Sequence, residues 1–99
     1  MKAATSPAPA PERIAATTRT LSAVDAHWIM RAALNRGDRV ATAPGILKRE
    51  IMTRLELAGL VRFDPLRPRP FPREAQDYRL TDFGRAVADA LRNRHGRQL

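Results

Sequence analysis

The pattern of apolar positions predicts that ordered structure begins near Leu21 with a helix. The apolar stripe of this helix consists of Val24, Trp28 and Ala32. Ser22 is a suitable N-cap, and Gly37 favours the left-handed backbone conformation that often ends a helix. Trp28 has the largest apolar side chain in the sequence, so we expect it to anchor the core.

A second helix is predicted over residues 44–58, and Gly59 ends it. Its apolar stripe consists of Leu47, Ile51, Leu55 and Ala58. Alternating apolar and polar residues at 60–63 and 78–81 then predict the two strands of a hairpin. Thr81 is a good N-cap for a last helix over residues 82–93. The buried stripe of that helix is expected to consist of Phe83, Val87, Ala90 and Leu91.

The two ends of the chain lack this periodicity. Residues 1–20 are rich in Pro and Ala, which favours an extended, flexible arm whose Arg13 and Arg19 would be able to touch a phosphate backbone. Residues 95–99 are expected to form a frayed basic tail. The elements between these ends run helix, short link, helix, hairpin, helix. This order predicts an α+β, mostly helical domain over residues 21–94.

The charge of the chain points to an anionic partner. The formal net charge is +8, from 18 basic and 10 acidic residues. All basic residues except Lys2 and Lys48 are arginines, which suit bidentate contacts with phosphate and guanine. Nucleic acid, an acidic protein surface and an anionic membrane are the candidate partners. A GC-rich genome also produces an Arg-, Ala- and Pro-rich composition, so charge alone does not decide among them.

Several kinds of chemistry are not expected from this sequence. The chain has no cysteine, which excludes disulfides, zinc–thiolate clusters and a thiol nucleophile. His27 and His95 lack a metal-ligand partner at helical spacing, and no phosphate-binding loop or catalytic motif is present. No apolar run approaches the roughly 20 residues of a membrane span. We therefore expect a cytoplasmic protein that is not an enzyme and uses no cofactor, metal or membrane.

Two segments resemble bacterial winged-helix regulators, especially the families related to multiple-antibiotic-resistance and phenolic-acid repressors. Residues 54–61 (RLELAGLV) resemble the end of the recognition helix and the start of the hairpin. Residues 78–85 (YRLTDFGR) resemble the second wing strand and the start of the next helix. The resemblance covers residues 46–91 and implies a winged-helix-like fold, with about three helices and a two-stranded β-hairpin wing. Residues 37–45 leave room for one turn at most, so the middle helix of the family is shortened here.

The resemblance implies that the helix over residues 44–58 enters the major groove of double-stranded DNA. Its side chains expected to contact DNA are Lys48, Arg49, Thr53 and Arg54. Glu50 and Glu56 leave open the alternative that these residues form ion pairs on a solvated helix face. The wing loop is expected to present Arg67, Arg69 and Arg73 to phosphate or to the minor groove. For this loop, a docking strip for a protein partner and a solvated loop remain as alternatives.

Together these observations favour a small DNA-binding protein, a bacterial or phage transcriptional regulator that acts as a homodimer. The alternative is a non-enzymatic protein-binding module that uses the winged-helix scaffold to bind a protein partner, for example an inhibitor in anti-defence or host takeover. The two hypotheses differ in one structural respect. DNA binding expects the basic residues of the helix and of the wing loop to share one face.

Overall fold

The computed structural model describes residues 10–40, 46–64 and 78–97, with side chains for all of these except 46–48 and 95–97. The elements in these ranges are α1 (Pro11–Thr20), α2 (Ala23–Ala33), a 3-10 turn (Arg36–Asp38), α3 (Ile46–Leu57), β1 (Val61–Phe63), β2 (Tyr78–Leu80) and α4 (Asp82–Arg97). The α+β, mostly helical fold class is confirmed. The 3-10 turn is the only helical turn between α2 and α3 within the described residues, and residues 41–45 lie outside them.

The expectation of an extended arm is wrong for residues 11–20, which form α1 and pack against α4. Pro11 occupies the first turn of α1, where its missing N–H and fixed φ are tolerated, and Glu12 follows it at the positive end of the helix dipole. The guanidinium of Arg13 lies 4.1 Å from the ring centroid of Phe83 in α4. Composition predicted the wrong state here because α1 is held by tertiary contacts: Arg13 lies over Phe83, Ile14 packs against the core and Thr18 is buried.

The hairpin is confirmed, with β1 and β2 antiparallel. Its register pairs Val61 with Leu80, Arg62 with Arg79, and Phe63 with Tyr78. Beyond β2, Arg39 forms a further antiparallel bridge with Arg79, and the amide of Val40 donates to the carbonyl of Tyr78 at 3.0 Å. The sheet therefore continues one residue pair past the hairpin, to the segment that follows α2.

The predicted helix after Ser22 is confirmed, and the Ser22 hydroxyl accepts a hydrogen bond from the amide of Asp25. Its predicted stripe is confirmed at Ala32, which is buried, and is wrong at Val24 and Trp28. Ile29 is completely buried, whereas Trp28 is half-buried and Val24 is 53% exposed. The buried face includes Asp25, which is turned inward to meet Arg54 of α3. Ile29, one turn after Asp25, therefore takes the core position expected for Trp28.

The stripes of α3 and α4 agree with the sequence in part. Ile51 and Leu55 are buried as predicted, as are three residues of α4: Phe83, Val87 and Leu91. Met52 is also completely buried, whereas Ala58 is exposed and Ala90 half-buried. The side chain of Leu47 lies outside the described residues. Helix α4 runs to Arg97, past the predicted end near residue 93 and into the expected tail, because residues 92–97 include no apolar side chain that would mark its end in the sequence.

Thr81 joins the start of α4 to the end of α3. Its hydroxyl donates to the carbonyl of Gly59 at 2.6 Å and accepts from the amide of Gly84 at 2.9 Å, which confirms the predicted N-cap. Gly59 has φ of +80°, as expected for a glycine that ends a helix. Gly84 is required for close approach, because a Cβ there would lie 2.0 Å from the carbonyl oxygen of Leu60. This junction fixes the hairpin relative to α3 and α4.

Candidate nucleic-acid interface

The exposed face of α3 is the surface that the sequence predicted to read DNA. Arg49 and Thr53 are exposed there, and the Thr53 hydroxyl donates to the carbonyl of Arg49 at 2.9 Å. Glu50 is also exposed and follows Arg49 directly, so charges of opposite sign alternate on this face. The side chain of Lys48 lies outside the described residues. The described part of α3 therefore presents a mixed face and not a basic one.

Arg54 forms an ion pair with another helix of the protein, although its side chain is 56% exposed. Its Nε lies 3.0 Å from Asp25 Oδ2 and its Nη2 lies 2.6 Å from Asp25 Oδ1, a bidentate ion pair between α3 and the first turn of α2. The Asp25 side chain is 8% exposed, so the pair spans the edge of the core. The hydrogen bond that Arg54 donates to Asp25 and the negative charge of this carboxylate raise the pKa of Arg54. This guanidinium fork is already occupied by a carboxylate.

The predicted wing residues Arg67, Arg69 and Arg73 lie outside the described residues. The strands that lead into and out of that loop are described. Their outer face carries the strongest concentration of charge that we find in residues 10–40, 46–64 and 78–97.

We call this feature the arginine row: Arg39, Arg79 and Arg62 stand side by side across the outer face of the sheet. Arg62 and Arg79 are direct cross-strand partners, and Arg39 faces Arg79 from the other side. Side chains alternate between the faces of a strand, so the burial of Val61, Tyr78 and Leu80 in the core directs the arginines of the strands outward. Like charges directly opposite each other weaken a sheet, so this arrangement needs a counterion.

Asp64, the residue after β1, is that counterion. Its Oδ2 atom lies 2.9 Å from Nη1 of Arg79, 3.6 Å from Nη2 of Arg62 and 3.7 Å from Nη2 of Arg39. One carboxylate oxygen therefore stands where three guanidinium groups converge. The hydrogen bond from Arg79 and the positive charges of the row lower the pKa of Asp64. Three cations and one anion leave this cluster with an excess of two positive charges.

The members of the row differ in how firmly they are held. Arg79 also donates from Nε to the carbonyl of Gly37 at 3.0 Å, and Arg39 donates from Nη1 to the backbone carbonyl of Asp64 at 2.7 Å. Among the described residues, the ion contact of Arg62 with Asp64 is longer than that of Arg79, at 3.6 Å, and the Arg62 side chain is 57% exposed. Arg39 and Arg79 thus form a fixed base, and Arg62 is the member most open to a ligand.

Next to the row, Arg85 of α4 forms an ion pair with Asp38, and its Nε lies 3.6 Å from Asp89. This neighbouring group contains one cation and two anions, so an excess of one negative charge lies beside the row.

The arginine row was missed at the sequence level, although part of its signal was present. The predicted hairpin places Arg62 and Arg79 at the polar positions of its two strands, and an antiparallel register makes them partners. Arg39 carried no such signal, because its bridge to β2 joins residues distant in sequence. Asp64 looked like an ordinary residue before the prolines of the loop.

Among the described residues, no helix combines the length and apolar character needed to cross a bilayer. No three His, Asp or Glu side chains of these same residues come together as a metal site would require. Comparisons with protein-family models, with curated proteins and with solved structures gave no significant match to this chain.

Proposed function

We propose that this protein binds double-stranded DNA through the phosphate backbone, in the manner of a small cytoplasmic winged-helix regulator. The observation that carries the proposal is the arginine row on the outer face of the sheet, with its excess of two positive charges. The order helix, hairpin, helix, with the row at the base of the loop corresponding to a wing, supports the winged-helix interpretation.

The convergence of the row suits a phosphate group of the DNA backbone. Nitrogens of all three guanidinium groups lie within 3.7 Å of one carboxylate oxygen, Asp64 Oδ2, so a phosphate oxygen in that place would meet donors from all three arginines. Arginine binds phosphate with a planar fork of donors, which makes it the preferred residue for such contacts.

The predicted groove and wing contacts remain part of the proposal, with one change. The residues retained from the sequence are Lys48, Arg49, Thr53, Arg67, Arg69 and Arg73. We assign Arg54 instead to the contact between α2 and α3, because Asp25 accepts hydrogen bonds from Nε and Nη2 of its guanidinium. The row supplies affinity without sequence preference, since phosphate contacts position a protein and base contacts specify the site.

Salt dependence of binding tests this proposal. The affinity for a fluorescein-labelled duplex of about 20 base pairs is measured by anisotropy across a salt series, for the wild type and Arg62→Ala. The matched control is Arg92→Ala, which removes the same charge from an exposed position in α4. The slope of log K against log salt should fall by about 0.9 in Arg62→Ala, as expected for one lost phosphate contact, and stay unchanged in the control.

Absence of duplex binding at low salt would refute the proposal. A loss of slope in Arg92→Ala as large as in Arg62→Ala would show that net charge, and not the row, governs binding. Both variants must unfold at temperatures close to that of the wild type for the comparison to stand.

A protein-binding module is the second candidate, and one observation favours it. Leu57 is 85% exposed at the end of α3, on a helix whose described face is of mixed charge. A protein partner that covers this side chain removes its apolar surface from water, which favours binding. In that case Leu57→Ser abolishes capture of one stoichiometric partner, and neither the wild type nor the variant binds duplex DNA.

The proposal includes a homodimer, because winged-helix regulators commonly read two half-sites of a palindromic operator. Light scattering coupled to size-exclusion chromatography tests this component separately. A mass of twice 11.1 kDa is expected for the free protein, and a monomer that also binds DNA as a monomer would contradict it.

A further inference from the structure

The Asp64 carboxylate has a position unlike that of an ordinary surface counterion. A single oxygen, Oδ2, contacts the guanidinium groups of all three members of the row, at 2.9, 3.6 and 3.7 Å. A phosphate oxygen that bound these arginines would have to occupy the same position. Carboxylate and phosphate oxygens use the same donors of a guanidinium fork, so they compete for it.

We propose that Asp64 is a built-in competitor for the phosphate site: its carboxylate fills the arginine row in the free protein and rotates away when a backbone phosphate of DNA enters. This inference rests on the proposed function and names the step by which the row becomes available. Asp64 then sets the affinity of the protein, because each binding event must replace an internal ion pair.

The backbone geometry permits this exchange without unfolding the site. The carbonyl oxygen of Asp64, and not only its side chain, holds Arg39 through a hydrogen bond of 2.7 Å. Arg79 has a second anchor in the carbonyl of Gly37. Two of the three arginines therefore keep their places when the carboxylate leaves, and the phosphate enters a preformed site. Arg62, the most exposed member, closes on the ligand.

The same geometry explains why a competitor is useful. Without a counterion, the cross-strand pair Arg62 and Arg79 would repel in the free protein and weaken the hairpin. The Asp64 carboxylate therefore stabilises the DNA-free protein. It also competes with weakly binding polyanions, because it is part of the chain and has a high effective concentration at the row. Only a ligand that contacts several arginines together, such as a phosphate backbone, gains enough to replace it.

The decisive variant is Asp64→Asn, which keeps the shape of the side chain and removes its charge. Duplex affinity of this variant should rise roughly 5-fold at low salt, the effect of one partly exposed charge pair. The slope of log K against log salt should stay close to the wild-type value, because the same phosphates are neutralised in both proteins and only the internal exchange is lost. The matched control Glu12→Gln removes one exposed negative charge from α1 and should change affinity less than about twofold.

The outcomes separate this inference from the proposed function. If the wild type binds DNA with a slope that Arg62→Ala reduces, but Asp64→Asn binds equally or more weakly, the competitor is refuted while the DNA-binding function stands. Equal gains in duplex affinity in Asp64→Asn and Glu12→Gln would also refute it, since the change in net charge alone would then explain the gain. If neither the wild type nor Asp64→Asn binds at low salt, both proposals fail.

A measurement on the wild type keeps the inference testable if Asp64→Asn does not fold. The carboxyl ¹³C resonance of Asp64 is followed by NMR as duplex is added. A shift that saturates with binding, together with shifts of the Arg62 and Arg79 Nε–H groups, is expected when the carboxylate leaves the row. An Asp64 resonance that stays fixed while DNA binds would overturn the inference.

Discussion

Substitution of Gly84 by alanine tests the junction that holds the hairpin against the helices. In an exposed helix, a change from Gly to Ala stabilises by about 0.5–1 kcal/mol. Here the added Cβ would lie 2.0 Å from the carbonyl oxygen and 3.0 Å from the carbonyl carbon of Leu60, and 3.2 Å from Cδ2 of Leu80. Two of these atoms belong to the backbone, so α4 must move away from the end of α3.

The movement has a calculable cost. Overpacking of this kind costs about 1–3 kcal/mol, and separation also weakens the 3.1 Å hydrogen bond from the Thr81 amide to Leu60, which contributes about 1 kcal/mol. After the gain in helix propensity is subtracted, we expect a net loss of about 1–3.5 kcal/mol. For a chain of this size that corresponds to a fall in melting temperature of roughly 5–25 °C.

Urea and thermal unfolding followed by circular dichroism measure this loss for Gly84→Ala. Asp89→Ala is the control, because Asp89 is an exposed residue of the same helix and should change stability by no more than about 0.5 kcal/mol. If Gly84→Ala matched or exceeded the wild type in stability, the close contact of α4 with Leu60 would be disproved.

Three further predictions follow from the site and its supports. Arg54→Ala should lower the unfolding temperature, because it leaves the buried carboxylate of Asp25 unpaired. The slope of log K against log salt for duplex binding should stay unchanged in this variant. A reduced slope in anisotropy titrations would show that Arg54 contacts DNA after all. Thr81→Val should lower the free energy of unfolding by about 1–2 kcal/mol, since it removes both hydrogen bonds of the hydroxyl. In urea unfolding, Thr81→Ser should retain most of the wild-type stability. Equal losses in the two variants would exclude the hydroxyl as the cause. Because its arginine partners lower the pKa of Asp64, the charged carboxylate stabilises the fold above the ordinary Asp pKa of about 3.9, and this contribution is lost as pH falls through the lower folded-state pKa. The stability difference between the wild type and Asp64→Asn should therefore be constant from about pH 5 to 7 and shrink below about pH 4, and a difference that stays constant down to pH 2 would contradict this origin.

Local signals in the sequence were sufficient to predict the hairpin and the helices on either side of it. Gly59 has the positive φ that a helix end favours, and Thr81 caps α4 through its hydroxyl. Both features depend on residues within a few positions of each other, which sequence reasoning handles well. The strand alternation around Arg62 and Arg79 was equally local, so the pair was within reach of prediction.

The features that sequence reasoning predicted wrongly or missed depend on tertiary contacts. Helix α1 depends on its packing against α4, where Arg13 stacks on Phe83, and nothing near Arg13 in the sequence indicates that contact. The rotation of α2 toward Ile29 follows from the inward position of Asp25, whose partner in α3 lies 29 residues away. The third member of the arginine row depends in the same way on a distant bridge.

The most direct test of the DNA-binding proposal is an NMR titration of the ¹⁵N-labelled protein with a duplex of about 20 base pairs, at low salt, with the arginine Nε–H groups assigned. Our account predicts saturable shifts at Arg39, Arg62 and Arg79 that reverse as salt is added. It would be contradicted if the duplex bound while these three groups stayed unchanged and the shifts were confined to other surfaces.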